Sequence, residues 1–437
     1  MGDPSTGTRN GKHLRTTLSD RGGIGASGDR ALTVGSVWQS AVSARLPAAR
    51  RGEGAEAVLG NEVRADAPSR RRALVVLNSG IGNNVIAAPL LESADASGLF
   101  ASYHVLCYQP FLPLGLADRV RLPGLRTAGL PPLVRRFRPA DWAEIVAYVD
   151  AERLDLIVNL RLEIPELDGD YLAFRAEAER RGIECWDLHE DGMWEAGSSG
   201  ERAVALFRRH GELPVAPRTR WLADLRTPAS EAGPVGCFVG ASRGVKRWQA
   251  ERWIETVGLL RARGWPVELA AGPGAEERAL LRRLARDLGA AVTVAPAGDL
   301  DAFAHWISGL GALVGNDTAA IHLAAAIGTP VVSLHLATDG RVWRPVGERV
   351  RPLQSALALR CRAMKRDGTC TRLYRGCPAP CRSGVTPEQV AAAVDELRVE
   401  RVEKADDLRV ERVEKADDPR VEKEERWSTP ETSHATR

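Results

Sequence analysis

Residues 313–330 read LVGNDTAAIHLAAAIGTP, and this stretch decides the fold. Its apolar start predicts a buried strand that ends at Asn316. Asp317 or Thr318 is then expected to cap a helix, and Gly328 to end it, because these residue types are favoured at those two positions. A buried strand followed at once by a buried helix is typical of an α/β protein with a parallel sheet.

The start of that helix is a candidate binding site for an anion. Its first backbone N–H groups have no partner within the helix, and the helix dipole adds positive partial charge at the same end. Thr318 and His322 lie four residues apart, so they share the helix face near this site. A second interpretation stays open, in which Asp317 is only a cap and His322 is a satisfied core histidine.

A second strand-to-helix junction, residues 238–248, reads FVGASRGVKRW and carries Ser242 with three cations, Arg243, Lys246 and Arg247. Cations on a loop at the carboxyl end of a strand suit a diphosphate leaving group. Such a loop can also be merely solvated.

A third junction, residues 269–277, reads LAAGPGAEE and places Glu276 at the start of another helix. Its carboxylate is a candidate acceptor of hydrogen bonds from a ribose. Alternatively, it only favours the positive end of its own helix.

Strands and helices alternate along both halves of the chain, which predicts βαβ units on mostly parallel sheets. In the first half the predicted strands are 73–78, 103–108, 156–160 and 183–188, and the predicted helices are 141–152 and 171–181. In the second half the predicted strands are 235–239, 267–271, 291–294, 312–314 and 331–336, and the predicted helices are 249–263, 276–288, 299–308 and 319–327. Residues 219–233 are predicted to link two α/β domains that face each other across a cleft.

Composition indicates a globular protein. The chain has 437 residues, of which 44% are hydrophobic and 27% charged, and its formal net charge of +3 gives no reason to expect nucleic acid as a partner. Its cysteines do not form the framework of a small secreted domain, and no apolar run follows the basic residues near the N-terminus. The uncharged stretch 319–337 contains a Gly-Thr-Pro breaker, so it suits a buried helix and strand better than a membrane span. We therefore predict a cytoplasmic protein.

Both ends of the chain are predicted to lack a core. Residues 1–70 are rich in Gly, Ser, Arg and Ala without periodicity, which is typical of a disordered extension. Residues 398–437 form a charged repeat tail, in which the unit 397–407 (LRVERVEKADD) recurs as 408–418. Few large apolar residues and many mixed charges favour a solvated or transiently helical tail over a binding element.

Taken together, the three junctions resemble glycosyltransferase family 9, the ADP-heptose:lipopolysaccharide heptosyltransferases. That family carries a Gly-Ala/Ser loop with Lys and Trp, a Gly-Gly-Pro-x-Glu-like turn and a Gly-Asn-Asp-Ser/Thr-Gly-x-x-His segment, in this order. Trp343-Arg344-Pro345 resembles its closing Trp-Gly-Pro. The similarity implies the GT-B fold, two Rossmann-like α/β domains across a cleft, with an N-terminal acceptor-binding domain at 71–225 and a C-terminal donor domain at 234–397.

The resemblance also implies a donor site. Its residues would be Ser242, Lys246, Glu276, Asp317, Thr318, Ala319 and His322. Lys246 would meet the diphosphate of a nucleotide-diphosphate sugar and Glu276 its nucleoside, while the helix residues would line the diphosphate and the sugar. Ala319 stands where the family usually has Gly, which keeps the backbone N–H but reduces the space near the phosphate.

The implied reaction is inverting transfer of a heptose or related sugar, with ADP-heptose as the expected donor. The expected acceptor is a glycan or glycolipid such as the lipopolysaccharide core, through which the protein would touch the inner membrane only peripherally. A general base removes the proton of the acceptor hydroxyl while Lys246 and the helix N-terminus stabilise the departing diphosphate, so catalysis requires no metal cofactor.

The chain departs from the family at the position of the catalytic base. The family's base resembles an Asp in the first Gly-rich loop, where this chain has Asn83, whose carboxamide cannot accept a proton at neutral pH. Glu163, Glu190 and Asp191 follow predicted strands and are candidate bases, although each also suits an ordinary surface or capping role. Alternatively, Asn83 only orients the acceptor, or the protein is a non-catalytic GT-B nucleotide-sugar-binding or assembly protein. A nicotinamide enzyme is rejected, because Val85 replaces the third glycine of the dinucleotide fingerprint.

Four cysteines, Cys361, Cys370, Cys377 and Cys381, fall within the Arg-rich loop 361–381. Four thiolates can hold a structural zinc or iron ion, and the family often has cysteines here. The spacing is not that of a standard zinc finger, and Met364 stands where an early Cys-x-x-Cys would have its second cysteine. The alternative is that free or paired cysteines tie the loop down.

Overall fold

The structure, a computed structural model, describes residues 70–397 except 78–79, 107–121, 123, 127–138, 162–168, 189–196, 212, 214–216, 296–297, 365–367 and 371–376. The predicted extensions 1–70 and 398–437 therefore lie almost wholly outside the described residues. Within the described ranges, no helix has the length and apolar character needed to span a bilayer.

The first half of the chain forms a five-stranded parallel sheet in the order β3-β2-β1-β4-β5. Its strands are β1 Arg71–Val76, β2 Phe100–Leu106, β3 Leu125–Arg126, β4 Leu156–Asn159 and β5 Glu184–Asp187. Its helices are α1 Ile81–Ala96, α2 Pro139–Ala151, α3 Gly169–Arg180 and α4 Ser199–His210. Apolar side chains cover both faces of the central strand β1, as expected for a parallel sheet between two helix layers.

The second half forms a six-stranded parallel sheet in the order β11-β10-β9-β6-β7-β8. Its strands are β6 Val235–Phe238, β7 Val267–Ala270, β8 Thr293–Val294, β9 Ala312–Asn316, β10 Val331–His335 and β11 Val350–Gln354. Its helices are α5 Ala250–Ala262, α6 Ala275–Leu288, α7 Leu300–Ser308, α8 Ala319–Ile327, α9 Gly340–Trp343, α10 Ala356–Leu359 and α11 387–397. The helix α11 adds Val390, Val394 and Leu397 to the core around β6.

The predicted element types agree with the structure, and most boundaries differ by one or two residues. Helix α8 begins and ends where the sequence placed it, because Gly328 adopts φ 84° and stops the helix in the left-handed region. The strand β9 ends at Asn316, as the strand-to-helix junction predicted and two residues beyond the range 312–314. Glycine and asparagine have low strand propensity, and here the pairing of Gly315 with both neighbouring strands and of Asn316 with β10 overrides it.

The predicted linker 219–233 is structured and packs on the second half. It contains short 3₁₀ helices at Ala223–Leu225 and Pro228–Ala232. The Leu222 N–H donates to the carbonyl of Ala326, and the Arg226 guanidinium donates to the carbonyl of Leu310 at 2.9 Å. These bonds tie the segment to the ends of α8 and α7.

Both sheets belong to the same compact unit, and α1 packs directly on α8. The indole N–H of Trp221 donates to the carbonyl of Val85 at 3.2 Å. Arg344, after α9, forms an ion pair with Glu201 of α4, with N–O distances of 2.7 and 2.8 Å. The first turns of α1 and α4 are thereby held beside the second half.

Gly328 supplies a test of this packing. Its φ of 84° is strained for any L side chain, and a Cβ there would overlap the guanidinium of Arg220. We expect Gly328→Ala to lower the free energy of unfolding by about 1–3 kcal/mol, measured by urea denaturation.

Gly258→Ala is the matched control. Gly258 lies inside α5 with nothing within 4 Å of the new Cβ, so the same substitution should stabilise the protein by about 0.5–1 kcal/mol. Equal effects of the two substitutions would contradict the role assigned to Gly328.

Candidate active site

The three junctions singled out in the sequence converge at one edge of the second sheet. Strands β9, β6 and β7 are neighbours and run parallel, so their carboxyl ends lie side by side. The loops that follow them start at Asp317, Val239 and Ala271. In open α/β sheets, ligands bind at the carboxyl ends of the strands.

A buried ion pair joins two of these loops. Lys246 Nζ lies 2.8 Å from Asp317 Oδ2, and only 5% of the Asp317 side chain is exposed. Lys246 also lies over the ring of Trp343, 6.0 Å from its centroid. The aromatic ring and the carboxylate fix the ammonium group near the start of α8.

The electrostatics of the pair follow from its surroundings. Burial by itself would raise the pKa of Asp317, but the positive charge and hydrogen bond of Lys246, together with the nearby His335 and His322, lower that pKa to about 2. Asp317 is therefore ionised at neutral pH. The carboxylate would compete with a ligand phosphate for Lys246.

The start of α8 carries no side-chain cap. Thr318 occupies the N-cap position, but its side chain makes no capping hydrogen bond, and Asp317 turns to Lys246 instead. Thr318 therefore occupies the predicted N-cap position, but the expected side-chain hydrogen bond is not formed, and the ion pair takes the carboxylate of Asp317. The N–H groups of the first turn, including that of Ala319, are left for another acceptor.

His322 lies one turn further along α8 and is 6% exposed. Burial, with further repulsion from His335 and Lys246, lowers its pKa to about 4 despite the opposing effect of Asp317. Its imidazole is therefore neutral at pH 7. Among the described residues, neither His322 Nδ1 nor Thr318 Oγ1 has a hydrogen-bond partner, although both atoms are buried. The interpretation of His322 as a satisfied core histidine does not fit this environment.

The first turn of α1 meets α8 at this point. A Cβ on Gly82 would lie 3.1 Å from Cδ2 of His322 and 3.5 Å from Cα of Ala319, so any larger residue there would have to displace the imidazole slightly. Asn83, the next residue, is thus held beside the donor-site helix. The other candidate bases, Glu163, Glu190 and Asp191, lie outside the described residues.

Asn316 is a site residue that the sequence reasoning did not single out. Its side chain is fully buried and donates from Nδ2 to the carbonyls of Val239 and Gly240, at 3.1 Å each. Its Oδ1 accepts from the N–H of Trp248 at 3.2 Å. Asn316 therefore ties both ends of the Lys246 loop to β9. An amide at the end of a buried strand was the signal available in the sequence.

Two adjacent glutamates lie in different environments, and the predicted nucleoside-binding role of Glu276 stays a prediction. Glu276, predicted to bind the nucleoside, is 78% exposed and forms an ion pair with Arg247. Glu277 is buried and accepts from the N–H of Gly274 at 3.2 Å, and burial, opposed by that hydrogen bond, raises its pKa. Gly240 comes so close that a Cβ there would overlap the Glu277 carboxylate. Glu277 thus lies at the strand ends.

Three of the seven predicted donor residues line two separate cavities. Ser242 and Glu276 line one of about 710 Å³, together with Arg243 and Arg247. His322 lines the other, of about 590 Å³, whose walls come mainly from α1, α4 and the segment 217–221. The Lys246–Asp317 pair lines neither cavity, but its electrostatic coupling to His322 places these groups in one neighbourhood.

The cysteine loop lies near the same edge. Cys370, Cys377 and Cys381 pack against Val245 and Ala337. Burial and the neighbouring thiols, chiefly Cys370, raise the pKa of Cys381. Within the described part of the loop and the rest of the described chain, no three His, Cys, Asp or Glu side chains are grouped as ligands of one ion. Structural zinc or iron at Cys361, Cys370, Cys377 and Cys381 stays a prediction, which metal analysis of the purified protein would test.

The site suits the binding of a phosphorylated ligand at the edge of a parallel sheet, because it combines a lysine with an uncapped helix start.

Comparisons with known proteins identify the class further. Residues 199–370 match the model of glycosyltransferase family 9 (heptosyltransferase). Lipopolysaccharide heptosyltransferase 3 of Escherichia coli is 34% identical over 289 residues, which cover 60% of this chain and 83% of the relative. Lipopolysaccharide heptosyltransferase 1 of E. coli K12 is 37% identical over 112 residues, 25% of this chain and 34% of the relative.

A crystal structure of a family 9 glycosyltransferase from Veillonella parvula DSM 2008 shares the fold. Its TM-score is 0.54 at 15% sequence identity, and the match covers 77% of this chain and 100% of that one. The chain belongs to glycosyltransferase family 9 and is a glycosyltransferase of the GT-B fold, as its sequence motifs predicted.

The ion pair makes a prediction about acid stability. Asp317 has a pKa of about 2 in the folded protein against an ordinary value of 3.8, so its contribution to stability is complete above pH 4 and is lost as the pH falls through 2. This contribution amounts to about 2 kcal/mol. We expect Asp317→Asn to cost about 3–5 kcal/mol at pH 7, because Lys246 is left unpaired, and the gap to wild type to narrow only below pH 4. Urea denaturation at several pH values measures both.

Glu251→Gln, which breaks the exposed pair with Arg283, serves as the control and should change stability little at any pH. A gap for Asp317→Asn that already closes between pH 7 and 5 would contradict the assigned ionisation.

Proposed function

We propose that this protein transfers a heptose, with inversion, from ADP-heptose to a glycan acceptor of the lipopolysaccharide core. The observation that carries the proposal is the Lys246–Asp317 pair beside the uncapped start of α8. The names of the relatives support the sugar and the acceptor class, since two lipopolysaccharide heptosyltransferases match this chain. A cytoplasmic location, with peripheral contact to the inner membrane through the acceptor, belongs to the same proposal, and nucleic acid is not an expected partner.

The donor diphosphate would take the place of Asp317 as the partner of Lys246. A phosphate at the start of α8 accepts hydrogen bonds from the free N–H groups of the first turn, and a charge-assisted bond from Lys246 adds to them. The nucleoside then extends toward the loops after β6 and β7, where Ser242, Glu276 and Glu277 lie. The helix dipole and the lysine supply positive charge where the leaving diphosphate gains negative charge. No metal is needed for this stabilisation.

A binding or assembly protein without turnover is the second candidate function. Asn83 favours it, because a carboxamide at the position of the family base cannot accept a proton. The intact arrangement of Lys246, Asp317 and His322 opposes it. An assay of sugar transfer from ADP-heptose by the wild-type protein distinguishes the two candidate functions, since a binding or assembly protein would bind the nucleotide without releasing the sugar.

Donor binding gives the most direct test. A thermal-shift panel of ADP-, UDP- and GDP-sugars should show stabilisation by ADP-heptose, because a ligand that binds only the native state raises its melting temperature. Lys246→Met should weaken ADP-heptose binding roughly 10- to 100-fold by calorimetry, the loss expected for one hydrogen bond to a charged group.

Arg286→Met is the matched control. It removes a cation from α6 whose side chain is 75% exposed, and binding should stay unchanged. The absence of any shift with all three nucleotide sugars would refute the proposed donor site, and equal losses in the two variants would refute the role of Lys246.

A further inference from the structure

The position of the family base holds an asparagine, yet the reaction requires a group that accepts the acceptor's proton. The described side chains around the start of α8 limit which group can accept this proton. Lys246 and Asp317 already neutralise each other in the free protein, and Asp317 faces the lysine that the donor needs. His322 takes no part in this ion pair. It is buried, and no described residue hydrogen-bonds to its Nδ1.

We propose that the imidazole of His322 is the general base that removes the proton from the acceptor hydroxyl. The inference rests on the proposed glycosyl transfer and adds a catalytic residue to it. In the step, the acceptor oxygen bonds to the anomeric carbon as its proton passes to a ring nitrogen of His322. The bond from that carbon to the diphosphate oxygen breaks, and its electron pair leaves with ADP. The imidazolium then returns its proton to solvent.

The geometry of α8 suits a diphosphate at its first turn and a general base one turn further along. Ala319 presents its N–H at the helix start, and His322 follows three residues later on the same side, about 5–6 Å away at the level of Cβ. A diphosphate on the first turn therefore leaves room along the helix surface for an anomeric carbon and an attacking oxygen next to the imidazole. The contact of Gly82 with His322 brings the first turn of α1, including Asn83, to the same place. Asn83 can orient the hydroxyl that His322 deprotonates.

His322 also opens onto space that an acceptor can occupy. Its ring lines the cavity of about 590 Å³ formed with α1, α4 and the segment 217–221. A core histidine without function would normally donate or accept at both nitrogens, because an unpaired buried polar atom costs free energy. Among the described residues the imidazole therefore keeps one nitrogen uncommitted, while the residue itself lines the cavity.

The charge state of the ring is consistent with a base. Burial holds the pKa of His322 at about 4, so the imidazole is neutral and able to accept a proton at pH 7. The charged groups that face it are Asp317, Lys246 and His335. The charged side chains that line the cavity of about 590 Å³ are Glu201, Arg208, Arg209 and Arg218. A bound diphosphate draws Lys246 from Asp317 and adds negative charge, and both changes raise the pKa of His322 in the donor complex.

The test compares kcat and KM of three variants with an active wild-type protein. His322→Gln keeps the size and polarity of the side chain but cannot accept a proton. Its kcat should fall roughly 10²- to 10⁴-fold, while KM for ADP-heptose stays within about threefold. His305→Gln removes an exposed imidazole from α7 and should leave kcat unchanged. In His322→Gln/Asn83→Asp, a carboxylate next to Gly82 should restore kcat at least about tenfold, as a second proton acceptor would.

The pH profile of the wild-type protein tests the inference without any variant. Activity should fall as the pH drops through the pKa of His322. The acidic limb of the kcat profile should lie at higher pH than that of kcat/KM, because kcat reports the donor complex, in which the pKa of His322 is raised. The position of the limb should move to lower pH on warming, as an imidazole does and a carboxylate does not.

The outcomes are distinct. No transfer by the wild-type protein would refute the proposed function itself. With an active wild-type protein, the role of His322 is overturned if His322→Gln keeps kcat within about tenfold of wild type, or if only KM rises. It is also overturned if Asn83→Asp restores nothing, or if the acid limb is insensitive to temperature. Loss of kcat with rescue and a temperature-dependent limb would establish it.

Discussion

The ion pair of Lys246 with Asp317 is the interaction on which the site depends. It crosses from the loop after β6 to the start of α8, with the Asp317 carboxylate buried and the Lys246 side chain 21% exposed, so Lys246 is the main partner that the carboxylate has. Removing one partner leaves the other charge unpaired at high cost. A donor diphosphate is one group that can replace Asp317 without this cost, since it offers Lys246 a second anion. In the proposed function, the pair fixes Lys246 beside the start of α8 until the donor diphosphate takes the place of Asp317.

The polar framework around the pair is what keeps it in place. Asn316 ends β9 and uses its whole amide to hold the Lys246 loop, while Glu277 holds the turn after β7. Gly240 allows this turn to approach, because a side chain there would collide with Glu277. These groups position Lys246, Asp317 and the start of α8, and a loss at any of them is expected to act through the geometry of the site.

His322 differs from these positioning groups in its hydrogen bonding. It packs against α1, and among the described residues its Nδ1 has no partner, while the ring carries no charge at neutral pH. In the proposed arrangement, Asn83 stands where the family has an aspartate, and the neutral imidazole of His322 lies against Gly82, the residue before Asn83. In it, a buried nitrogen base replaces a carboxylate without adding a negative charge beside the donor diphosphate.

Local sequence determined the α/β class, the alternation of strands and helices and both ends of α8. These features depend on hydrophobic periodicity and on glycine at a left-handed turn, which are short-range, while the proposal that Lys246, Asp317 and His322 share one site came from the family resemblance. Tertiary structure decided which partner each side chain takes. Asp317 faces Lys246 rather than capping α8, Glu277 rather than Glu276 turns inward, and Gly82 lies against His322. Each of these choices depends on contacts between residues far apart in the chain, and their energies are set by burial and by neighbouring charges that no local pattern records.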